Sequence, residues 1–126
     1  MRVSGLLTGK FTRDSSFGED DHRTFNRDGQ MFNVGETFAG LPFEQGVELA
    51  EQLKDFKDNS LPMAHWALRW ILDFDAVSVV IPGASKIDQA SSNAAASNLD
   101  SLAPETHEEL AQFYEEAIKD HIRGPY

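Results

Sequence analysis

Apolar and polar positions alternate between two regimes along the chain. Val3 to Leu7, "VSGLL", is a short apolar piece that reads as a strand with a Gly in it. Phe11 to Gly40 has no sustained period and reads as a loop of about thirty residues, a length that in a compact domain goes with function. Phe17, Phe25, Phe32 and Phe38 are spaced through it, and the expectation is that they dock it onto the rest of the chain. Pro42 opens a helix whose apolar face is Val47, Leu49, Ala50, Leu53 and Phe56. Ser60 is the expected N-cap of the next helix, "LPMAHWALRWILDF". There Met63, Trp66, Ala67, Trp70 and Ile71 form one stripe, Leu68 and Leu72 widen it, and a largely buried helix is predicted.

"AVSVVIPG" follows, apolar almost throughout. Such a run fits a strand covered on both faces, as in a parallel sheet. Ser85 is the expected cap of a helix from Lys86 to about Ala96. Pro104 begins a last helix from Glu105 to about Ile122, with Leu110, Phe113, Tyr114, Ala117 and Ile118 inward, stopped by Gly124-Pro125. No internal repeat interrupts this order, so residues 1–126 read as a single region.

Composition narrows the function classes. The chain has 126 residues, 40% hydrophobic and 25% charged, enough for one domain with some core. A formal net charge of −10 disfavours nucleic acid and anionic membrane surfaces, both of which need a basic face. There is no cysteine, which removes disulfides, thiolate zinc sites and cysteine nucleophiles. No secretory leader or apolar span of membrane length stands in the sequence, and a cytoplasmic location is the default expectation.

Candidate chemistry concentrates at "PGASK". A strand, a Gly turn, a Ser and a helix start together offer free N–H groups and a partial positive charge, which suit phosphate. By itself the segment fits an ordinary strand-to-helix turn better, and neither GxGxxG nor GxxxxGK[ST] is present. "TFNRDG" fails as a calcium loop, because Thr24 stands at its first position and Gly35 where the last Glu belongs. His22, His65, His107 and His121 show no metal-ligand spacing, and the Asp/Glu runs read as solvated surface. No metal site and no nucleophile–base pair is expected.

Three segments carry a more specific signal: "GLLTGK", "ALRWIL" and "VIPGASKxxQ…N". Together with the loop "FTRDSSFGEDDHRTFNRDG" they resemble the C-terminal part of the aldo-keto reductases, from Ser4 to about Ile118. Within that family the loop pattern is similar to bacterial reductases related to potassium-channel β subunits. The resemblance implies a (β/α)8 barrel binding NADPH at its C-terminal face, with Val3–Leu7 and Val77–Ile81 as strands seven and eight. The expected fold is formally α/β: the C-terminal fragment of a TIM barrel, mostly helical with two short strands.

The resemblance also implies site residues. Ser4 and Lys10 would lie by the pyrophosphate. Gly83, Ser85, Gln89 and Asn93 would line the adenosine and its 2′-phosphate, with Lys86 as a further phosphate partner and Arg23 in the loop as a weaker one. Ser92 stands where the family often has Glu. The family's catalytic Asp, Tyr, Lys and His lie on earlier strands and match nothing here, and Tyr114 is on the wrong element. A whole barrel takes about 250 residues. The sequence therefore implies an NADPH-dependent reductase of aldehydes and ketones, present as a fragment without its catalytic residues and inactive alone. A small carbonyl substrate belongs to the complete fold, and self-association or pairing with an N-terminal barrel portion is expected. The alternative is a non-catalytic helical interaction or regulatory module on the reductase scaffold.

Overall fold

The computed structural model describes residues 5–27, 38–58 and 60–123. Among the described residues five α-helices follow one another: α1 (His22–Phe25), α2 (Phe43–Gln52), α3 (Met63–Leu72), α4 (Ile87–Ala95) and α5 (Pro104–Phe113). Short 3₁₀ turns extend or precede them at Leu6–Thr8, Phe38–Gly40, Leu53–Phe56 and Ala96–Asn98. After α5 the chain closes one π turn, Tyr114–Ile118, and one 3₁₀ turn, Lys119–His121.

The expected helices form close to where the apolar period places them. Their starts differ in detail. Pro42 is the N-cap of α2 rather than its first residue, and Pro62, not Ser60, is the N-cap of α3. Both prolines sit just ahead of the helix, where a missing N–H removes no intrahelical bond. Ser60 instead donates its backbone N–H to Asp58 Oδ1 at 2.7 Å, closing a local turn. Likewise Lys86, not Ser85, is the N-cap of α4.

No strand is hydrogen-bonded among the described residues. Of the Val3–Leu7 expectation, Val3 and Ser4 lie outside those residues. Gly5 adopts a left-handed conformation, φ 82°, and Leu6–Thr8 coil into a 3₁₀ turn. A residue with positive φ ends an extended run, and glycine reaches it without a Cβ clash. Val77–Ile81 has no regular secondary structure. Its composition is that of a strand, but a strand exists only with a neighbour to complete its ladder.

The core is aromatic and built from the long loop. Phe38 and Phe43 are each 1% exposed, and their ring centroids lie 4.9 Å apart. Phe17 packs edge-on against Phe43 at 5.4 Å and against Phe11 at 5.3 Å. Phe17 and Phe38 thus dock the loop as expected, Phe25 is 39% exposed, and Phe32 lies outside the described residues. α2 meets the Leu6–Thr8 turn so closely that a Cβ on Gly46 would stand 2.9 Å from Leu6 Cδ1. The α3 stripe is less covered than predicted: Trp66 is buried, while Met63, Ala67, Trp70 and Ile71 are half-buried.

Two polar ties join distant elements. Asp73, the C-cap of α3, accepts from Arg69 Nε at 2.9 Å, from the Leu102 N–H at 2.9 Å and from His107 Nε2 at 3.0 Å. Near the chain's other seam, the Arg123 N–H and Nε each donate to Gly40 O at 3.0 Å, and Nη2 donates to Leu41 O at 3.2 Å.

Candidate functional site

The turn between the apolar run and α4 is held by side chains one and two helical turns further along. The Ser85 N–H donates to Gln89 Oε1 at 2.8 Å, and Ser85 Oγ donates to the same oxygen at 3.0 Å. Asn93 Nδ2 donates to Gly83 O at 3.4 Å. Gln89 and Asn93 are four residues apart on α4, so helical geometry puts them on one face and aims both at the turn. A Cβ on Gly83 would meet no heavy atom within 4 Å, so the backbone there is open to an approaching molecule.

Lys86 precedes the first turn of α4, and its side chain does not cap the helix. Among the described residues its ammonium has no hydrogen-bond or ion-pair partner. The first backbone N–H groups of α4 face the same end, where the helix dipole favours an anion. Beside the turn lies a hollow of about 460 Å³ between Leu68 and Leu72 of α3, Val79 and Val80 of the apolar run, and Ala90 and Asn93 of α4. The wall is uncharged and mainly apolar with the Asn93 amide at it, which suits a flat ring with a polar edge.

Of the residues the sequence singles out, the structure brings Gly83, Ser85, Gln89 and Asn93 together, with Lys86 adjacent to them in the chain. Ser4 lies outside the described residues. Lys10 and Arg23 form a separate pair around one ring: Lys10 Nζ stands 4.9 Å and the Arg23 guanidinium 5.4 Å from the centre of Phe11. Arg23 is already committed. Its Nε donates to Asp21 Oδ1 at 2.9 Å, its Nη2 donates to the other carboxylate oxygen, and it covers the Phe17 ring at 4.5 Å. The hydrogen bond from Arg23 holds the Asp21 carboxyl far below the usual carboxylate range, against a smaller upward push from burial. No hydrogen bond or ion pair among the described residues joins this pair to the α4 group.

Sequence reasoning missed two contacts. Ser92 Oγ lies 2.6 Å from His65 Nε2, tying α4 to α3. Ser92 is thus engaged by a histidine from the neighbouring helix. His65 at the edge of an apolar stripe was the signal, since an imidazole in that position needs a polar partner. The other is His107, whose contact with Asp73 sets it beside Trp70 and Phe74. Those three residues, with Trp66, Leu110 and Tyr114, line a second hollow of about 520 Å³. Tyr114 stands in that hollow at the start of the π turn, on the side of α5.

Among the described residues no three His, Asp or Glu side chains gather as metal ligands, and no helix is long and apolar enough to cross a membrane. The family model described as Aldo/keto reductase family matches residues 3–115. No curated protein and no solved structure gave a match.

Proposed function

The chain belongs to the aldo/keto reductase family, an oxidoreductase family, and we propose that it is the C-terminal part of an NADPH-dependent carbonyl reductase. The observation that carries the reading is the turn at the start of α4. Gly83, Ser85, Gln89 and Asn93 converge there, next in the chain to Lys86, which pairs with no described residue, in the segment where the family resemblance is most specific.

The donor set fits the adenosine end of NADP. Lys86 supplies a cation for the 2′-phosphate, Ser85 a hydroxyl, and the first turn of α4 free N–H groups. Asn93 carries donor and acceptor for a base edge, and the apolar wall of Leu72 and Val80 takes a ring face. Binding asks Gln89 to exchange its bonds to Ser85 for bonds to the ligand. Ser4 and Lys10 belong to the pyrophosphate side of this reading, with Arg23 weaker because Asp21 holds it. NADPH, when bound, supplies the hydride; the protein's part is placement, electrostatics and a proton. Tyr114, the tyrosine among the described residues, lines the hollow beside α5 and not the α4 turn, so in our reading the chain by itself lacks turnover and holds the cofactor weakly.

Two assays test this. Titration with NADP, NAD and their 2′-phosphorylated and plain adenosine fragments should show weak, millimolar binding with the phosphorylated forms preferred. Equal affinity, or none, sinks the site. Carbonyl-dependent NADPH oxidation should be absent for the chain alone and appear on adding the first six strands of a reductase barrel. Turnover by the chain alone refutes its inactivity. The second reading, a non-catalytic helical interaction module, is favoured instead by the exposed Val79, Ile81 and Ile87 if neither assay responds.

A further inference from the structure

Gln89 spends its side-chain oxygen on the α4 turn itself. That oxygen accepts the Ser85 N–H at 2.8 Å and the Ser85 hydroxyl at 3.0 Å. A backbone N–H can only donate, so the end of the amide turned toward Ser85 is the oxygen and not the nitrogen. Two donors of one residue thus converge on one oxygen atom, an arrangement that equally suits an oxygen of a bound anion. The N–H groups of Ile87 and Asp88 open α4 at the same end. The first bonds of the helix come after them, from Gln89 N–H and Ala90 N–H to Lys86 O at 3.1 and 3.2 Å. The Lys86 side chain does not cap the helix, and Asp88 puts one carboxylate in its first turn. A seat for an oxygen exists here, and a neutral amide oxygen of the same chain sits in it.

We infer that Gln89 is a built-in competitor at this turn: its side-chain oxygen holds the place of a phosphate oxygen, and a 2′-phosphorylated nucleotide binds by displacing it. This rests on the reading above that the turn takes the adenosine end of NADP, and it fixes the sign of Gln89's net contribution there. Amide oxygen and phosphate oxygen are both acceptors. The Ser85 N–H and hydroxyl have one hydrogen each, so the two oxygens cannot both be served in full. The exchange runs toward the phosphate, because a charged acceptor makes shorter and stronger bonds than a neutral amide. It still starts from a turn already satisfied, and the bonds given up are subtracted from the affinity gained. Ser85 and Gln89 are both exposed, so water takes over the released amide and the penalty stays small. Asn93 is arranged differently. Its Nδ2 donates to Gly83 O at 3.4 Å, which uses one of two hydrogens and leaves the amide oxygen open to a ligand. A ligand can add to Asn93 without displacing it, whereas at Ser85 it must evict Gln89.

Two variants decide it. Gln89→Met keeps the length of the side chain and removes the oxygen. Gln89→Glu keeps an oxygen in reach of Ser85 and gives it a charge, next to Asp88. Each is titrated with adenosine 2′-phosphate and with adenosine. Gln89→Met should bind the phosphorylated form about threefold tighter than the wild type and adenosine equally well. Gln89→Glu should bind the phosphorylated form at least about threefold more weakly. A Gln89→Met affinity equal to or below the wild type, or a tighter Gln89→Glu, overturns the proposal and makes Gln89 a contact that helps the ligand. Nuclear magnetic resonance of the isotope-labelled chain gives a readout without nucleotide. The Ser85 amide signal should move in Gln89→Met with no ligand present, and in the wild type the Ser85 amide and the Gln89 side-chain amide should shift together on adding adenosine 2′-phosphate. A Ser85 signal indifferent to Gln89→Met overturns the contact from which the proposal starts. The two readings fail differently. If the competitor alone is wrong, the wild type prefers the phosphorylated form and Gln89→Met gains nothing. If the cofactor reading is wrong, neither protein prefers it, and the competitor falls with it.

Discussion

Asp73 Oδ2 and His107 Nε2 lie 3.0 Å apart, although the two residues are 34 positions apart in sequence. The contact locks the end of α3 to the first turns of α5. The same carboxylate takes Arg69 from its own helix and the Leu102 N–H from the connecting turn, and its side chain is 6% exposed. Removing it leaves the Leu102 N–H without an acceptor and the Arg69 guanidinium with only the longer bond from Nη1 to Leu99 O, 3.3 Å. Asp73→Ala should therefore cost about 3 kcal/mol, read as a lower urea midpoint at unchanged slope. His107→Ala should cost less, because Arg69 and Leu102 keep the carboxylate satisfied.

Acid should unfold the chain partly through this group. Burial pushes the Asp73 carboxyl up, but hydrogen bonds from the Leu102 N–H, His107 and Ser101, with the Arg69 charge, outweigh it and leave the group below its ordinary value of 3.8. A depressed folded value means the unfolded state binds the proton more readily. The stabilisation is thus fully present above the ordinary value and is lost as pH falls through the lowered one. Asp21, held down by Arg23, adds to the same window. Urea midpoints should be flat from pH 7 to about pH 5 and fall below about pH 4. The Asp73→Asn variant should show a shallower acid limb; an identical limb would remove Asp73 from this account.

The aromatic core sets a contrast between buried and bare positions. Phe43→Ala, at a side chain 1% exposed and in contact with Phe11, Phe17 and Phe38, should cost about 3–5 kcal/mol. Ile87→Ala, at 86% exposure, should change stability by no more than about 0.5 kcal/mol in the isolated chain. Denaturant titrations of the two variants side by side check this.

Nucleotide preference should depend on Lys86. Its ammonium is exposed and solvated, so an ion pair to a 2′-phosphate is worth only a few-fold. Lys86→Ala should reduce the preference for NADP over NAD by about two- to fivefold and leave NAD binding unchanged. Isothermal titration at low salt measures it, and an equal loss for both nucleotides would assign Lys86 to a different part of the ligand.

α2 and α3 were legible because each carries its own period, with Leu49 and Trp66 facing inward as the spacing predicts, whereas the single turn α1 lies in the stretch read as loop. The four residues of the α4 turn were legible as a group because Gly83 to Asn93 is a single local segment. What the sequence hid is relational. Val77–Ile81 has the side chains of a strand, but ladder bonds belong to two segments, and none of the described residues offers the second. Ser85 was read as a cap for its hydroxyl, yet Gln89 takes that hydroxyl and the N–H together, which moves the helix start to Lys86. The Ser92–His65 contact spans 27 positions: His65 at the edge of an apolar stripe signals the need for a polar partner, but no local pattern singles out Ser92.

The π turn at Tyr114–Ile118 has a bearing on the far end of the chain. A π turn takes one residue more to close than an α turn, so everything beyond it is rotated by about 100° relative to an uninterrupted helix. Arg123 reaches Gly40 and Leu41 from that rotated tail. The extra residue therefore acts as a phase adjuster: it indexes the tail so that one arginine meets the seam between the long loop and α2. Deleting a single residue from 114–118 would straighten the helix locally, yet turn the arginine away from those carbonyls, exchanging a smoother coil for an unfastened loop.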